Sequence, residues 1–303
     1  VIDPRYTDTA KIADIYLPIK AGSDIDFFNL ISKCLIDEEL YNREFVKSNI
    51  NNFGLLKDGL NSLEVSDMLK RTELTGKQFE EFFNLYKESE NIITAWTMGL
   101  NQSSQGVDKN LALINTHLLT GKIFKDGNGP LSLTGQPNAM GGREVGGLST
   151  MLAVHLGFDD ESIKKVSKFW KTDKIDNKAG LTATQMLEAD LDILIVCHTD
   201  PVYQLQKRKR VEEFIQKIQM VVDINAYENS ETSKFAHIRL PASPWGEKEG
   251  TQTNLDRTIT KQEKLTRTSI DCKADWEIFQ LLAQGLGYKK HFNYKKSKEI
   301  CQE

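Results

Sequence analysis

The chain has 303 residues, 39 basic against 43 acidic side chains, a net charge of −4 and 39% hydrophobic residues, an ordinary globular profile. The charge balance lacks the concentrated basic footprint that non-specific nucleic-acid binding needs, and no apolar run of about 18 residues or signal-peptide core places it in or across a membrane. Its length allows two domains and the burial of roughly three quarters of the unfolded surface, so disulfide staples are not required.

Cys34, Cys197, Cys272 and Cys301 are far apart and form no C-x-x-C pair. They read as reduced, mostly buried thiols in a reducing compartment, the cytoplasm. Val1-Ile2 reads as the tail of a strand and Ser297 to Glu303 as a helix just beginning, so the chain is expected to be a piece of something longer. Asp3-Pro4-Arg5 ends the first strand, and Ile12 to Ile19 is a second strand candidate. After the turn Ala21 to Asp24 comes a helix marked by Phe27, Leu30, Ile31, Cys34 and Leu35. Asp24 either caps that helix or presents its carboxylate to a ligand.

Glu39 to Arg71 reads as helical and surface-exposed. Thr75 and Gln78 have capping-box spacing, and Phe79, Phe82, Phe83 and Tyr86 follow at helical intervals as a core stripe. Asn91 to Met98 is expected as a buried-type strand, Gly99 to Gln102 as its exit turn, and Val107, Leu111, Ile114 and Leu118 as a helix ending at Gly121. That β-α unit puts Met98, Asn101 and Gln102 at a ligand edge.

From Gly121 to Gly147 the chain carries Gly121, Gly127, Gly129, Gly135, Gly141, Gly142, Gly146 and Gly147, eight of its twenty glycines. Such a loop marks close backbone approach to a ligand or mere slack, and it also contains Gln136, Asn138 and Arg143. Helices are expected over Glu161–Trp170 and Thr182–Ala189. A second βα unit follows: strand Leu191–Cys197, exit turn His198-Thr199-Asp200-Pro201, a helix marked by Val211, Phe214, Ile215 and Ile218, strand Met220–Ile224, a short helix from Glu231-Thr232 and strand His237–Leu240. The alternation predicts a mostly parallel sheet with right-handed crossovers.

Lys207 to Arg210 reads as a solvated face or as the neighbour of an anionic group. Each of the five histidines is treated as ordinary, because none has ligand spacing. There is no P-loop, G-x-S-x-G or H-E-x-x-H motif. Pro244 to Arg257 is expected as a polar loop, Arg257 to Lys264 as an exposed strand, and Trp276, Phe279, Leu282 and Leu286 as the last full helix. Asp24, Asn101, Gln136, Thr199, Asp223 and Asn254 thus fall at strand-exit loops. A site so lined, with neither metal ligands nor a nucleophile-base pair, suits a large polar cofactor.

The string Thr134-Gly135-Gln136-Pro137-Asn138-Ala139-Met140-Gly141-Gly142-Arg143-Glu144 resembles the signature of assimilatory nitrate reductases within the molybdopterin oxidoreductase family. Further matches stand in the family's order: Asp3-Pro4-Arg5, Gly22-Ser23-Asp24, Trp96 to Gln102, Leu118 to Gly121, Thr199-Asp200-Pro201, Leu240-Pro241-Ala242 and Trp245 to Thr251. Asp200 stands where the family often has asparagine.

The resemblance implies a mostly parallel Rossmann-like α/β sheet flanked by helices, divided into the end of one cofactor-binding domain plus a helical segment over 1–90 and a second cofactor-binding domain over 91–303. It implies molybdenum held by two molybdopterin guanine dinucleotides. Gly22 and Asp24 would face one guanine nucleotide, with Asp3 and Arg5 near its phosphates or ribose. Met98, Gly99, Gly135 and Gln136 would approach the other pterin, Thr199, Pro201, Asp223 and Thr232 would hold its nucleotide end, and Asn101, Gln102, Asn138, Asp200 and Asn254 would complete the cofactor contacts.

Met98 and Arg143 would face the metal's open position, where a guanidinium fork suits a planar anion. The expected reaction is reduction of nitrate to nitrite, with electrons from a ferredoxin, a flavodoxin or an NADH-linked reductase subunit. The family's [4Fe-4S] cysteines, its molybdenum-ligating cysteine and its C-terminal barrel have no counterpart here, so the piece alone is expected to be inactive. A formate dehydrogenase or other molybdenum oxidoreductase of this cofactor class is the alternative, and a non-catalytic α/β nucleotide-binding module the third reading.

Overall fold

Two segments fold as separate units, Val1–Gly135 and Gln136–Glu303, in a computed structural model that describes every residue from Val1 to Glu303. The fold is mixed α/β with small parallel sheets. No helix is long and apolar enough to cross a membrane.

The first unit contains α1 Asp8–Lys11, α2 Asp24–Asp37, α3 Arg43–Asn49, α4 Phe53–Asn61, α5 Val65–Thr72, α6 Gly76–Glu88, β1 Ile93–Trp96, α7 Met98–Asn101, α8 Gly106–Thr120 and β2 Gly129–Ser132. Its centre is α2, whose Phe27, Leu30, Ile31 and Leu35 are almost wholly buried and which packs against α4, α5 and α8. Apolar side chains at helical spacing make one continuous face, and burying that face holds the surrounding helices. The capping box at Thr75 forms as expected, and it delivers the aromatic stripe to the same core. Phe79 lies edge-on to Phe27 with ring centroids 6.4 Å apart and stacks on Phe83 at 5.6 Å.

Burial of α2 against α8 also encloses an ion pair. Lys109 Nζ lies 2.6 Å from Asp24 Oδ2, with side chains only 5% and 15% exposed. Asp24 is the first helical residue, not the cap; Ser23 occupies the N-cap position, with no side-chain cap bond. Other expectations are corrected here. Ile12–Ile19 forms no strand, only a single parallel bridge of Leu17 to Ile2, because Pro18 has no N–H to give a ladder. The strand expected over 91–98 is four residues long, alternately exposed, and pairs in parallel with β2 alone. Met98 already belongs to α7. The glycine-rich stretch is not one loop, since it contains β2 and the following helix.

The second unit contains α9 Ala139–Glu144, α10 Asp160–Trp170, α11 Ala183–Met186, β3 Ile193–Cys197, α12 Pro201–Gln204, α13 Arg208–Lys217, β4 Met220–Asn225, β5 Ile238–Pro241, β6 Gly250–Thr253, β7 Ile259–Gln262, α14 Asp275–Gly285 and α15 Ser297–Gln302. β4 lies between β3 and β5, all parallel, with Val196 opposite Asp223 and Asp223 opposite Arg239. Val221 joins Val202, Val211, Ile215 and Ile218 in a core beneath α12 and α13, whereas Ile224 packs with Ala242 and Ile278 of α14. Strand residues alternate between faces. The face carrying Ile224 is only partly covered, because Ile193, Ile195, Met220 and Ile238 on it are 56%, 42%, 41% and 42% exposed.

Three further expectations change. Part of the polar loop 244–257 is a strand: β6 pairs antiparallel with β7, which falls inside the exposed strand expected over 257–264. The stripe named for α14 is turned outward: Phe279 and Leu282 are exposed and Ile278 is the residue buried. All four cysteines are unpaired, but none is buried; Cys197 and Cys301 are exposed and Cys34 and Cys272 half-buried. The basic run at the start of α13 is neutralised locally, Arg208 by Glu212 and Glu231 and Arg210 by Glu188.

The Asp24–Lys109 pair has a measurable consequence. Lys109→Met leaves a buried carboxylate without a partner and is expected to cost about 3 kcal/mol, whereas adding Asp24→Asn should restore a large part of the loss. Urea unfolding of the single and double variants checks this, and equal losses in both would contradict it.

Candidate cofactor site

The exit loops of β3 and β4 are tied together by one carboxylate. Asp200 accepts hydrogen bonds from the N–H of Glu231 at 2.9 Å, the N–H of Thr232 at 2.9 Å and the Thr232 hydroxyl at 2.6 Å. Thr232 Oγ1 in turn accepts from the N–H of Val202 at 3.1 Å, capping the first turn of α12, which Pro201 opens. Burial opposes ionisation of Asp200, but the Thr232 hydroxyl and the two backbone N–H groups outweigh it and hold the carboxyl below its ordinary range. Thr199 Oγ1 donates to Gln204 Oε1 at 2.6 Å. Thr199, Asp200, Pro201 and Thr232 are thereby brought together.

Asp223 stands beside them near the carboxyl end of β4. It is 3% exposed, and its Oδ1 is buried without any hydrogen-bond partner. Burial is the main cause that pushes its carboxyl above the ordinary range, against the opposing pull of Asn225 and Arg239. A buried acceptor left unpaired costs about 1–3 kcal/mol, so it marks a place where a donor from outside the fold would be welcome.

In the same unit, Asn138 begins α9 with φ of +59°, and its Oδ1 accepts from the N–H of Thr253 at 3.0 Å. Gly141 makes this contact possible, because a Cβ there would sit 2.2 Å from Asn138 Oδ1. Arg143 rides on this anchored helix, exposed and without a side-chain partner. Gln136 is also exposed. Asn254 is committed to its own hairpin, donating to Thr258 O at 2.8 Å and to Thr260 Oγ1 at 2.7 Å.

The first unit presents a second set of residues. Asp3 Oδ1 accepts from the N–H of Arg5 at 2.8 Å, and Gly22 turns into α2 with φ of +90°, just before the paired Asp24. Met98, Gly99 and Asn101 lie on α7, with Gln102 as its C-cap. Asn101 is a hub: Oδ1 accepts from Trp96 Nε1 and Asn110 Nδ2, each at 3.0 Å, and Nδ2 donates to Ser132 Oγ at 3.1 Å. Gly99 and Gly135 have no heavy atom within 4 Å of where a Cβ would stand. Open backbone of this kind in the first unit suits close approach of a large ligand.

Sequence spacing missed one cluster. His198 is not an isolated histidine: its Nε2 lies 2.5 Å from Asp275 Oδ1, and Cys197 stands beside both. Asp275 comes from the first turn of α14, 77 positions further along. No local signal links the two segments.

A mixed α/β fold with small parallel sheets and polar strand-exit loops defines a chain that belongs to the molybdopterin oxidoreductase family, whose model matches residues 1–284. Among its relatives is a nitrate reductase of Klebsiella oxytoca, 35% identical over 313 aligned positions that cover 100% of this chain and 35% of that protein. An F420-dependent formate dehydrogenase subunit alpha of Methanocaldococcus jannaschii is 32% identical, covering 100% of this chain and 45% of that one. The fold is shared with acetylene hydratase from Pelobacter acetylenicus at a TM-score of 0.78 and 16% identity, covering 99% of this chain and 44% of that chain. The chain therefore spans between about a third and a half of the length of these relatives.

Asp223 supplies a test of the site. Its carboxyl holds a proton more tightly in the fold than in the unfolded chain, so its contribution favours the fold in acid and is lost as pH rises through the folded value. Asp223→Asn is expected to stabilise the chain at pH 7 by about 1 kcal/mol, with the gain vanishing in acid. Thermal unfolding across pH checks the sign; a loss at pH 7 would show that the carboxylate already serves the fold.

Proposed function

We propose that this chain is the central part of a molybdenum-dependent nitrate reductase that reduces nitrate to nitrite. The observation that carries the reading is Arg143, a guanidinium left exposed and unpaired on a helix that Asn138 anchors to β6, within the Thr134–Glu144 string. The 35% identity with the Klebsiella oxytoca nitrate reductase supports nitrate over other oxyanions. Five N–H donors in a planar fork bind a flat anion through two oxygens at once. Met98, on α7 of the first unit, would be an apolar contact of the cofactor.

The cofactor would be a molybdenum bis(molybdopterin guanine dinucleotide), which supplies the two-electron chemistry when bound. Asp223 is suited to one guanine: its free oxygen accepts, and guanine N–H groups donate. Thr199, Asp200, Pro201 and Thr232 shape the loops around that position, with Asp200 and Thr232 acting through the latch they form. Gly22, Asp24, Asp3 and Arg5 would serve the other nucleotide. Because Asp24 is paired with Lys109, it would act there by fixing the turn at Gly22. Gly99 and Gly135 in the first unit, and Gln136 in the second, would each let a cofactor lie close to local backbone, while Asn101 and Gln102 hold turns of the first unit and Asn138 and Asn254 turns of the second.

The finer fold reading belongs to the same proposal: a Rossmann-like α/β arrangement in which 1–90 closes one cofactor-binding domain and 91–303 forms a second. The compact units divide later, at Gly135, so 91–135 would be the segment shared between a structural unit and a functional one. A [4Fe-4S] cluster and an electron donor such as ferredoxin, flavodoxin or an NADH-linked subunit would complete the enzyme. The second reading is a formate dehydrogenase, favoured by the 32% identity to the Methanocaldococcus jannaschii subunit.

Assays with a reduced viologen for nitrate and an oxidised acceptor for formate, on the full-length protein after molybdenum and pterin analysis, separate the two. Nitrate turnover is expected; formate oxidation without it overturns the choice. Arg143→Ala should lower nitrate turnover by roughly two orders of magnitude or more, the scale seen when a positioned transition-state donor is removed, with cofactor content near normal. Loss of cofactor would make Arg143 structural instead.

A further inference from the structure

We propose that Cys197, His198 and Asp275 form a divalent-metal site of the zinc class at the carboxyl end of β3. Their ligand atoms, a thiol sulfur, an imidazole nitrogen and a carboxylate oxygen, all lie within 4.8 Å of one another, with His198 Nε2 and Asp275 Oδ1 2.5 Å apart. A tetrahedral zinc ion takes sulfur at about 2.3 Å and nitrogen or oxygen at about 2.0–2.2 Å, which separates its ligand atoms by roughly 3.3–3.8 Å. That spacing falls inside the span of the cluster. Side-chain shifts of about an ångström would open the His198–Asp275 contact enough to admit the ion.

The donor set is the one that a borderline-soft cation prefers, and it mixes thiolate, imidazole and carboxylate as zinc sites do. Position supports it as well. Cys197 ends β3, His198 follows it in the left-handed region at φ of +49°, and Asp275 projects from the start of α14, so two rigid elements carry the ligands. Lys248 donates to the other oxygen of Asp275, and ligating carboxylates are commonly held by such outer donors; Oδ1, which now faces His198 Nε2, is the oxygen that would turn to the ion. Cys197 and His198 remain open to solvent, which gives an ion an entry path. On binding, the Cys197 thiol gives its proton to water and a metal–sulfur bond forms. Three protein ligands leave the fourth position to water. None of this requires the molybdenum reading.

The test is titration of the metal-stripped chain with Co2+, followed by competition with Zn2+ against a chromophoric chelator. One equivalent of Co2+ is expected to bind with a thiolate charge-transfer band that Zn2+ then removes. Cys197→Ser should abolish the band, and Asp275→Asn and His198→Gly should each weaken binding at least about tenfold, the lower end of losses seen even for outer partners of metal sites.

His198→Gly guards against misreading an unfolded variant. Glycine takes a positive φ without steric cost, which offsets loss of the hydrogen bond to Asp275, so the variant should still unfold cooperatively without metal, while the zinc-dependent rise in melting temperature disappears. Co2+ binding without a thiolate band, a band that survives Cys197→Ser, or parental affinity in both His198→Gly and Asp275→Asn would overturn the assignment and leave a hydrogen-bonded pair beside an ordinary thiol.

Discussion

One strand in the middle of a three-stranded parallel sheet governs the second unit. With β4 flanked by β3 and β5, the three chain exits emerge at one end of the sheet, as parallel pairing requires. Asp200 then converts proximity into rigidity, holding two of those exits through three accepted hydrogen bonds. Such a carboxylate is worth more to the fold than to a ligand. A buried polar atom left free at this end is Asp223 Oδ1.

The two residues illustrate how a family motif divides its labour. Asp24, Asn101 and Asn254 are expected as ligand contacts from strand-exit positions, and Asp200 and Thr232 from the family resemblance, yet each has its side chain engaged within the protein. Their role in the fold is positional: they fix where the neighbouring backbone lies. Arg143, Gln136 and Asp223 are among the side chains with unused hydrogen-bonding capacity, able to gain a new partner without losing an old one. Mutating the first group would disturb local geometry, whereas mutating Arg143 or Gln136 would break no side-chain hydrogen bond within the protein.

Much of the architecture was legible because it rests on periodic signals. The α2 and α6 stripes, the Thr75 capping box, the α8 stop at Gly121 and the β3-α13-β4-β5 succession all follow from spacing that local chemistry imposes. What escaped was set by tertiary context. Alternation marked the strand at 259–262 but could not tell that 250–253 is its partner, or that the α14 stripe faces water with Ile278 inward. Nor could it show Lys109 as the partner of Asp24, Asp275 as the partner of His198, or which carboxylate would be left without a donor. Those facts join residues tens of positions apart, and one-dimensional patterns carry no distance between them. The site residues were read by resemblance of motifs more than by physics.

Parallel sheets in α/β proteins ordinarily have both faces clad, since their strands are apolar on both sides. Here one face is clad by α12 and α13 and the other only near Ile278, leaving Ile193, Ile195, Met220 and Ile238 wet. Every exposed square ångström of that hydrocarbon forgoes about 25 cal/mol, and excluded salts such as sulfate enlarge the deficit. Raising ammonium sulfate should therefore drive molecules together through this bare flank well before their helices melt, so that precipitation, not denaturation, sets the practical ceiling on handling the chain.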